Sequence, residues 1–120
     1  MARLTGFDID YIKSNLCDVA LDFAKEYNVT VVLKCATTIV AFPCGQIRIN
    51  TKGNSGMATA GSGDALAGIL GSCIASGFDF EVAVGNGVYL HSAAGDAAAE
   101  ALGKEFMSAT DITEYLRFVL

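Results

Sequence analysis

Four glycines, Gly53, Gly56, Gly61 and Gly63, fall within eleven residues, and an almost wholly apolar, small-residue stretch over 64–75 follows them. Glycine loses the most conformational freedom on folding and tolerates φ values that other residues avoid, so this density defeats a regular element over 51–63 and predicts a loop. The apolar stretch, closed by Gly77, predicts a buried helix that opens directly out of the loop. A longer helix is expected from about 80 to 102, where Ala83, Gly85, Gly87, Ala93, Ala94 and Gly95 permit close packing. Ser108 or Thr110 can cap a last helix carrying Ile112, Tyr115, Leu116 and Val119.

Upstream of the loop the periods change. Ile9, Ile12, Leu16, Val19, Phe23 and Tyr27 recur at steps of three and four, one stripe of an amphipathic helix over 8–27, with Asn28 as its stop. Residues 29–34 are β-branched and apolar on both faces, as in a strand covered on two sides in a parallel sheet. Residues 37–42 and 46–50 read as two strands joined through Pro43-Cys44-Gly45, a hairpin at the sheet edge. The order indicates an α/β layer protein, but about three strands are few for the helix surface to be covered, so the architecture reads as incomplete.

With 120 residues, 52% hydrophobic and 18% charged, the chain can build a core, and no Pro/Ser-rich or charged run divides it, so a single unit over 1–120 is expected. A formal charge of −5 without a Lys/Arg cluster argues against nucleic acid as partner and favours a small substrate. It does not exclude an anionic ligand, which backbone N–H groups can hold. Cys17, Cys35, Cys44 and Cys73 lack Cys-x-x-Cys spacing and His91 is the sole histidine, so zinc is not expected; reduced, mostly buried thiols are. No signal sequence opens the chain and its most apolar stretch is too short to span a bilayer, giving the cytoplasm, away from membranes, as the expected setting.

Gly61-Ser62-Gly63-Asp64 stands where the first amides of the predicted helix lack intrahelical acceptors. Such a mouth binds anions, helped by the helix dipole. A carboxylate beside a bound phosphate repels it, so Asp64 suggests a different task, accepting a proton from a hydroxyl that attacks phosphorus. The plainer alternative is a glycine turn with Asp64 as a helix-start carboxylate. A Walker loop would need lysine after its second glycine, and a dinucleotide fingerprint would need glycine at Leu66; both fail. Lys34, at a strand end, reads as a phosphate contact or a solvated lysine. Asn54 reads as a nucleotide contact or a turn former, His91 as a packed, hydrogen-bonded helix residue, and Asp96 and Glu100 as an exposed face.

The segment Asn54-Ser55-Gly56-Met57-Ala58-Thr59-Ala60-Gly61-Ser62-Gly63-Asp64 resembles the signature of the ADP- or ATP-dependent NAD(P)H-hydrate dehydratases, a carbohydrate-kinase-like family of the ribokinase superfamily. Leu33-Lys34-Cys35-Ala36 is similar to the family's Leu-Lys-Gly-Ala, with Cys35 in place of glycine, and Tyr89-Leu90-His91 and Ala109-Thr110-Asp111-Ile112 are similar to two further family segments. Met1-Ala2-Arg3-Leu4 resembles the tail of a substrate-contacting motif. The resemblance implies the C-terminal part of a ribokinase-like three-layer α/β/α sandwich, truncated at its N-terminus. It implies an enzyme that uses ADP or ATP, with Mg2+ bridging phosphates, to return hydrated NADH or NADPH to the intact cofactor. Gly61, Ser62 and Gly63 would form the anion hole, Lys34, Cys35, Ala36, Thr37 and Thr38 a nucleotide-binding segment together with Asn54, and Asp64 would contact and deprotonate the hydrate; no residue is assigned to a metal. A ribokinase-like small-molecule kinase and a non-catalytic nucleotide-binding or assembly module are the alternatives. At about 25 cal/mol per Å², several hundred Å² of uncovered apolar surface forfeits on the order of 10 kcal/mol, comparable to a domain's stability. The chain alone is therefore expected to associate as a homo-oligomer, misfold or lack activity unless a partner or the missing N-terminal half supplies the uncovered layer.

Overall fold

The computed structural model describes residues 1–120. The residues gather into two compact units, 1–51 and 52–120, each with its own core.

The first unit opens with a short helix α1 (Ala2–Thr5), closed by Gly6 at φ 75°. Helix α2 (Ile9–Ser14) starts at Asp8, whose carboxylate accepts the Tyr11 N–H at 2.7 Å, and α3 (Leu16–Tyr27) follows after one residue. The single helix expected over 8–27 is thus two. Asn15 causes the break: its side-chain Nδ2 donates to the Tyr11 carbonyl at 2.9 Å, taking the acceptor that its own backbone amide would use in a continuous helix. That amide bonds Ile12 instead, and Asn15 adopts φ −133°, ψ 39°. The apolar stripe splits accordingly, with Ile12 and Val19 buried and Ile9 and Tyr27 exposed. Asn28 does end α3, in the left-handed conformation that asparagine tolerates.

Strand β1 (Val31–Leu33) pairs with β2 (Thr38–Ala41), and β2 with β3 (Ile47–Asn50), in the order β1-β2-β3. Both pairings are antiparallel, with Leu33 opposite Ile39 and Ala41 opposite Ile47, which corrects the parallel setting expected for β1. The connection over 34–37 is far too short for the crossover a parallel neighbour requires. The β2–β3 hairpin is as expected: Gly45, at φ 101°, donates to the Phe42 carbonyl, and the Phe42 N–H donates to Gln46. Ala20 and Ala24 of α3 pack on Ile39 and Ala41 of β2, flanked by Leu16, Leu21, Val31 and Leu33, so small residues let the helix lie close to the strands.

The second unit is a 3-10 turn (Ser55–Met57) and three helices, α4 (Ser62–Ala75), α5 (Phe80–Leu102) and α6 (Ala109–Tyr115), the last running into a 3-10 turn (Leu116–Phe118). Helix α5 has the bounds the sequence predicts, and Asp79 caps it by accepting the Glu81 and Val82 amides. Helix α4 begins two residues earlier than expected. It is not a buried helix in this chain: Ser62, Leu66 and Ile69 are buried, while Gly63, Asp64, Ala67, Gly68, Gly71 and Ile74 are exposed. The buried stripe faces α5, where a Cβ on Gly87 would lie 2.8 Å from Leu70 Cδ2. Ala94, Ala98, Met107 and fully buried Ile112 form the second core, with Met57, Tyr115, Leu116 and Val119 against it. The cysteines form no disulfide but are not mostly buried as expected: Cys35 and Cys44 are exposed, Cys17 and Cys73 half-buried. No helix is long and apolar enough to cross a membrane.

Candidate functional site: a glycine-capped helix mouth

Gly61 precedes α4 at φ 87°, a left-handed value at which an L side chain is strained. The residue before a helix is commonly Ser, Thr, Asp or Asn, whose oxygen consumes the amide two or three positions on. Glycine supplies no such oxygen. The Ser62 N–H reaches back to Thr59 at 3.3 Å and the Ala65 N–H bonds Gly61 at 2.9 Å, so the amides of Gly63 and Asp64 are the first-turn donors left without an acceptor in the helix. A Cβ on Gly63 would meet nothing within 4 Å, leaving the approach to these amides open. Asp64, exposed in the same turn, adds a carboxylate at the mouth.

Two side chains of α5 hold this mouth and the loop leading to it. His91, 3% exposed, places Nε2 3.0 Å from the Ser62 carbonyl; a carbonyl only accepts, so Nε2 carries the proton and donates. His91 is the packed, hydrogen-bonded residue the sequence suggested. Five residues on, Asp96 accepts the Gly53 N–H with one oxygen and the Asn54 Nδ2 with the other, both at 3.0 Å. The expected exposed role of Asp96 is thereby overturned; Glu100 is exposed as expected. Asn54 also donates to Gly95 and accepts the Gly56 N–H, each at 3.0 Å, so its side chain shapes the turn. Gly56 cannot carry a side chain, because a Cβ there would lie 2.6 Å from the Lys104 carbonyl oxygen. Asp96 escaped the sequence reading because helical period places it beside Glu100 on a polar face. The one signal was its position directly after Gly95, whose missing side chain admits Met57.

Of the residues singled out in the sequence, Asn54, Gly61, Ser62, Gly63 and Asp64 share this framework in the second unit. Lys34, Cys35, Ala36, Thr37 and Thr38 form the connection from β1 into β2 in the first; the first three are exposed and the threonines half-buried. Partial burial holds the Lys34 ammonium below the usual lysine pKa, a cost that an adjacent anion would offset. Magnesium is usually held by one or two carboxylates together with substrate phosphates. No group of three His, Cys, Asp or Glu could cage an ion, and both oxygens of Asp96 are committed, so the side chains present fit only an ion carried by a nucleotide's own phosphates.

The chain is α/β, and its matches among solved structures place it with the ribokinase-like proteins. A solved ribokinase-like superfamily protein from Enterococcus faecalis is 34% identical, with a TM-score of 0.74 over 82% of this chain and 34% of that one. A family model described as NAD(P)H-hydrate dehydratase matches residues 1–117, and the chain belongs to this carbohydrate-kinase family. It is similar to a bifunctional NAD(P)H-hydrate repair enzyme from Moorella thermoacetica, at 44% identity over all of this chain and 23% of that protein. An ADP-dependent (S)-NAD(P)H-hydrate dehydratase from Neisseria meningitidis is 40% identical over 85% of this chain and 34% of its own length. The crystal structure of the ADP/ATP-dependent NAD(P)H-hydrate dehydratase from Bacillus subtilis, co-crystallized with ATP/Mg2+, has a TM-score of 0.95 at 29% identity, covering 98% of this chain and 43% of that one. The chain therefore spans from about a quarter to under half of the length of these relatives, and its fold is that of the matched part of a ribokinase-like α/β protein.

Proposed function

We propose that this chain carries the phosphate-holding and proton-accepting part of an ADP- or ATP-dependent (S)-NAD(P)H-hydrate dehydratase, with 1–120 belonging to one carbohydrate-kinase-like domain. A single family match running across both units supports the assignment to one domain. The observation that carries the activity is the glycine-capped start of α4, where the Gly63 and Asp64 amides stand open beside the Asp64 carboxylate.

In this reading Gly61, Ser62 and Gly63 line the hole for the terminal phosphate, whose negative charge the free amides and the helix dipole stabilise. Asp64 accepts the proton of the hydrate's ring hydroxyl. The resulting oxygen bonds to the terminal phosphorus as the bond to the nucleotide's bridging oxygen breaks, and the ring then loses phosphate instead of hydroxide. The neighbouring ring carbon then gives up a proton to water, which restores the nicotinamide double bond, with ADP or AMP and inorganic phosphate as the other products. Lys34, Cys35, Ala36, Thr37 and Thr38 are proposed to line the nucleotide, Lys34 meeting a phosphate, and Asn54 to hold the loop beside it. Magnesium, when bound with the nucleotide, neutralises phosphate charge. Four cysteines outside any disulfide fit a reducing cytoplasm.

The test is ADP- or ATP-dependent recovery of NADH absorbance from its hydrate, with nucleotide binding measured alongside by calorimetry. Asp64→Asn should abolish turnover and leave nucleotide affinity within about threefold. Retained turnover in that variant would remove Asp64 as the base, and phosphorylated product from a vitamin or sugar alcohol would favour the kinase reading.

A further inference from the structure

The framework behind the mouth contains one charged residue to which neither the motif nor the proposed reaction gives a role. Asp96 projects from α5, the helix that also holds the first turn of α4 through His91. Its two carboxylate oxygens take two donors from the start of the glycine loop, the Gly53 N–H and the Asn54 Nδ2. Asn54 spends its remaining side-chain bonds on the Gly95 carbonyl and the Gly56 N–H, so one carboxylate holds Gly53 and Asn54 directly and Gly56 through Asn54. Met57, the next residue, sits against Gly95 and joins the core with Met107 and Ile112. The loop over 53–61 is therefore fastened at one end by Asp96 and at the other by His91, both on one rigid helix, and their five-residue separation sets where Gly61 and the open amides lie.

We propose that Asp96 is a positioning residue for nucleotide binding: through Gly53 and Asn54 it fixes the glycine loop and hence the placement of the Gly63 and Asp64 amides. This rests on the reading that those amides hold a phosphate. Fixing the loop before the ligand arrives spares the ordering that a slack loop would undergo on binding. A carboxylate suits this position because both donors need an acceptor. In Asp96→Asn one of the two oxygens becomes an NH2 that faces a donor and accepts nothing.

ATP binding to the full chain by calorimetry, with thermal unfolding and amide hydrogen exchange over 53–64, tests this. Asp96→Asn should weaken ATP binding about tenfold and speed exchange at 53–57. Val84→Ala, which trims a buried side chain near the far end of α5, should leave ATP affinity unchanged even where its melting temperature falls as far. Should Asp96→Asn not fold, Asn54→Ala, which cuts the same link from the loop side, is expected to show the same tenfold loss. Wild-type affinity in the folded variant, or an equal loss in Val84→Ala, overturns the positioning role. Absence of ATP binding by the unaltered chain would overturn the phosphate reading beneath it.

Discussion

Glycine acts at two positions here by what it leaves out. At Gly61 the missing side chain removes the usual capping oxygen and leaves amides open; at Gly95 it makes room for Met57, which ties the loop to the core. A Cβ at Gly95 would fall 2.7 Å from Met57 Cε and 2.8 Å from Cγ, so the whole side chain would have to move, not its tip alone. Gly95→Ala is therefore expected to cost about 1–3 kcal/mol, the usual range for overpacking, measured by denaturant unfolding. An unchanged midpoint would show that Met57 has another place to go. At this scale the sequence displayed Gly61, Ser62, Gly63 and Asp64 plainly, because glycine spacing before an apolar run is a local signal. Asp96 lay hidden because its partners Gly53 and Asn54 are more than forty residues away, and no period along α5 records them.

Helix ends show the same division between local and distant causes. The start of α6 was legible because Ser108 and Asp111 are three residues apart: Asp111 accepts the Ser108 N–H at 2.7 Å and its hydroxyl at 2.6 Å, while Ser108 Oγ accepts the Asp111 N–H. Ser108→Ala should lower stability by about 1 kcal/mol. The bonds from Ser108 hold the Asp111 carboxyl below its ordinary pKa. Its contribution is therefore complete above the unfolded carboxylate pKa and is lost as pH falls through the lowered folded value. The difference between wild type and Ser108→Ala should accordingly shrink at acid pH; a difference that grows there would contradict the capping account. The break at Asn15 was not legible, since the apolar stripe runs through it undisturbed and the deciding bond, from Asn15 Nδ2 to the Tyr11 carbonyl, competes with the helix at a single position. The pairing of β1 was missed because apolar residues on both faces suggested a parallel strand, whereas the four-residue link to β2 dictates an antiparallel one.

For the molecule as a whole, family membership was legible from the eleven-residue segment ending at Asp64, while the burial of α4 was not, because composition cannot say which atoms will cover a helix. Its exposed Ile74, and Phe78 and Phe80 beyond it, leave apolar surface in water. We expect the purified chain to associate, read as a mass above that of a monomer by size exclusion with light scattering; a monodisperse monomer with cooperative unfolding would count against it. The central claim, that open amides at a glycine-capped helix start hold a phosphoryl group, separates stability from binding at Gly63. There a Cβ has free space and the backbone is helical, so Gly63→Ala should keep or raise stability, by up to about 1 kcal/mol. Calorimetric titration of ATP into the wild-type chain and Gly63→Ala is the most direct measurement. The account predicts binding by the former and at least a tenfold loss in the latter despite its undiminished stability; equal affinities, or no binding by the wild-type chain, would contradict it.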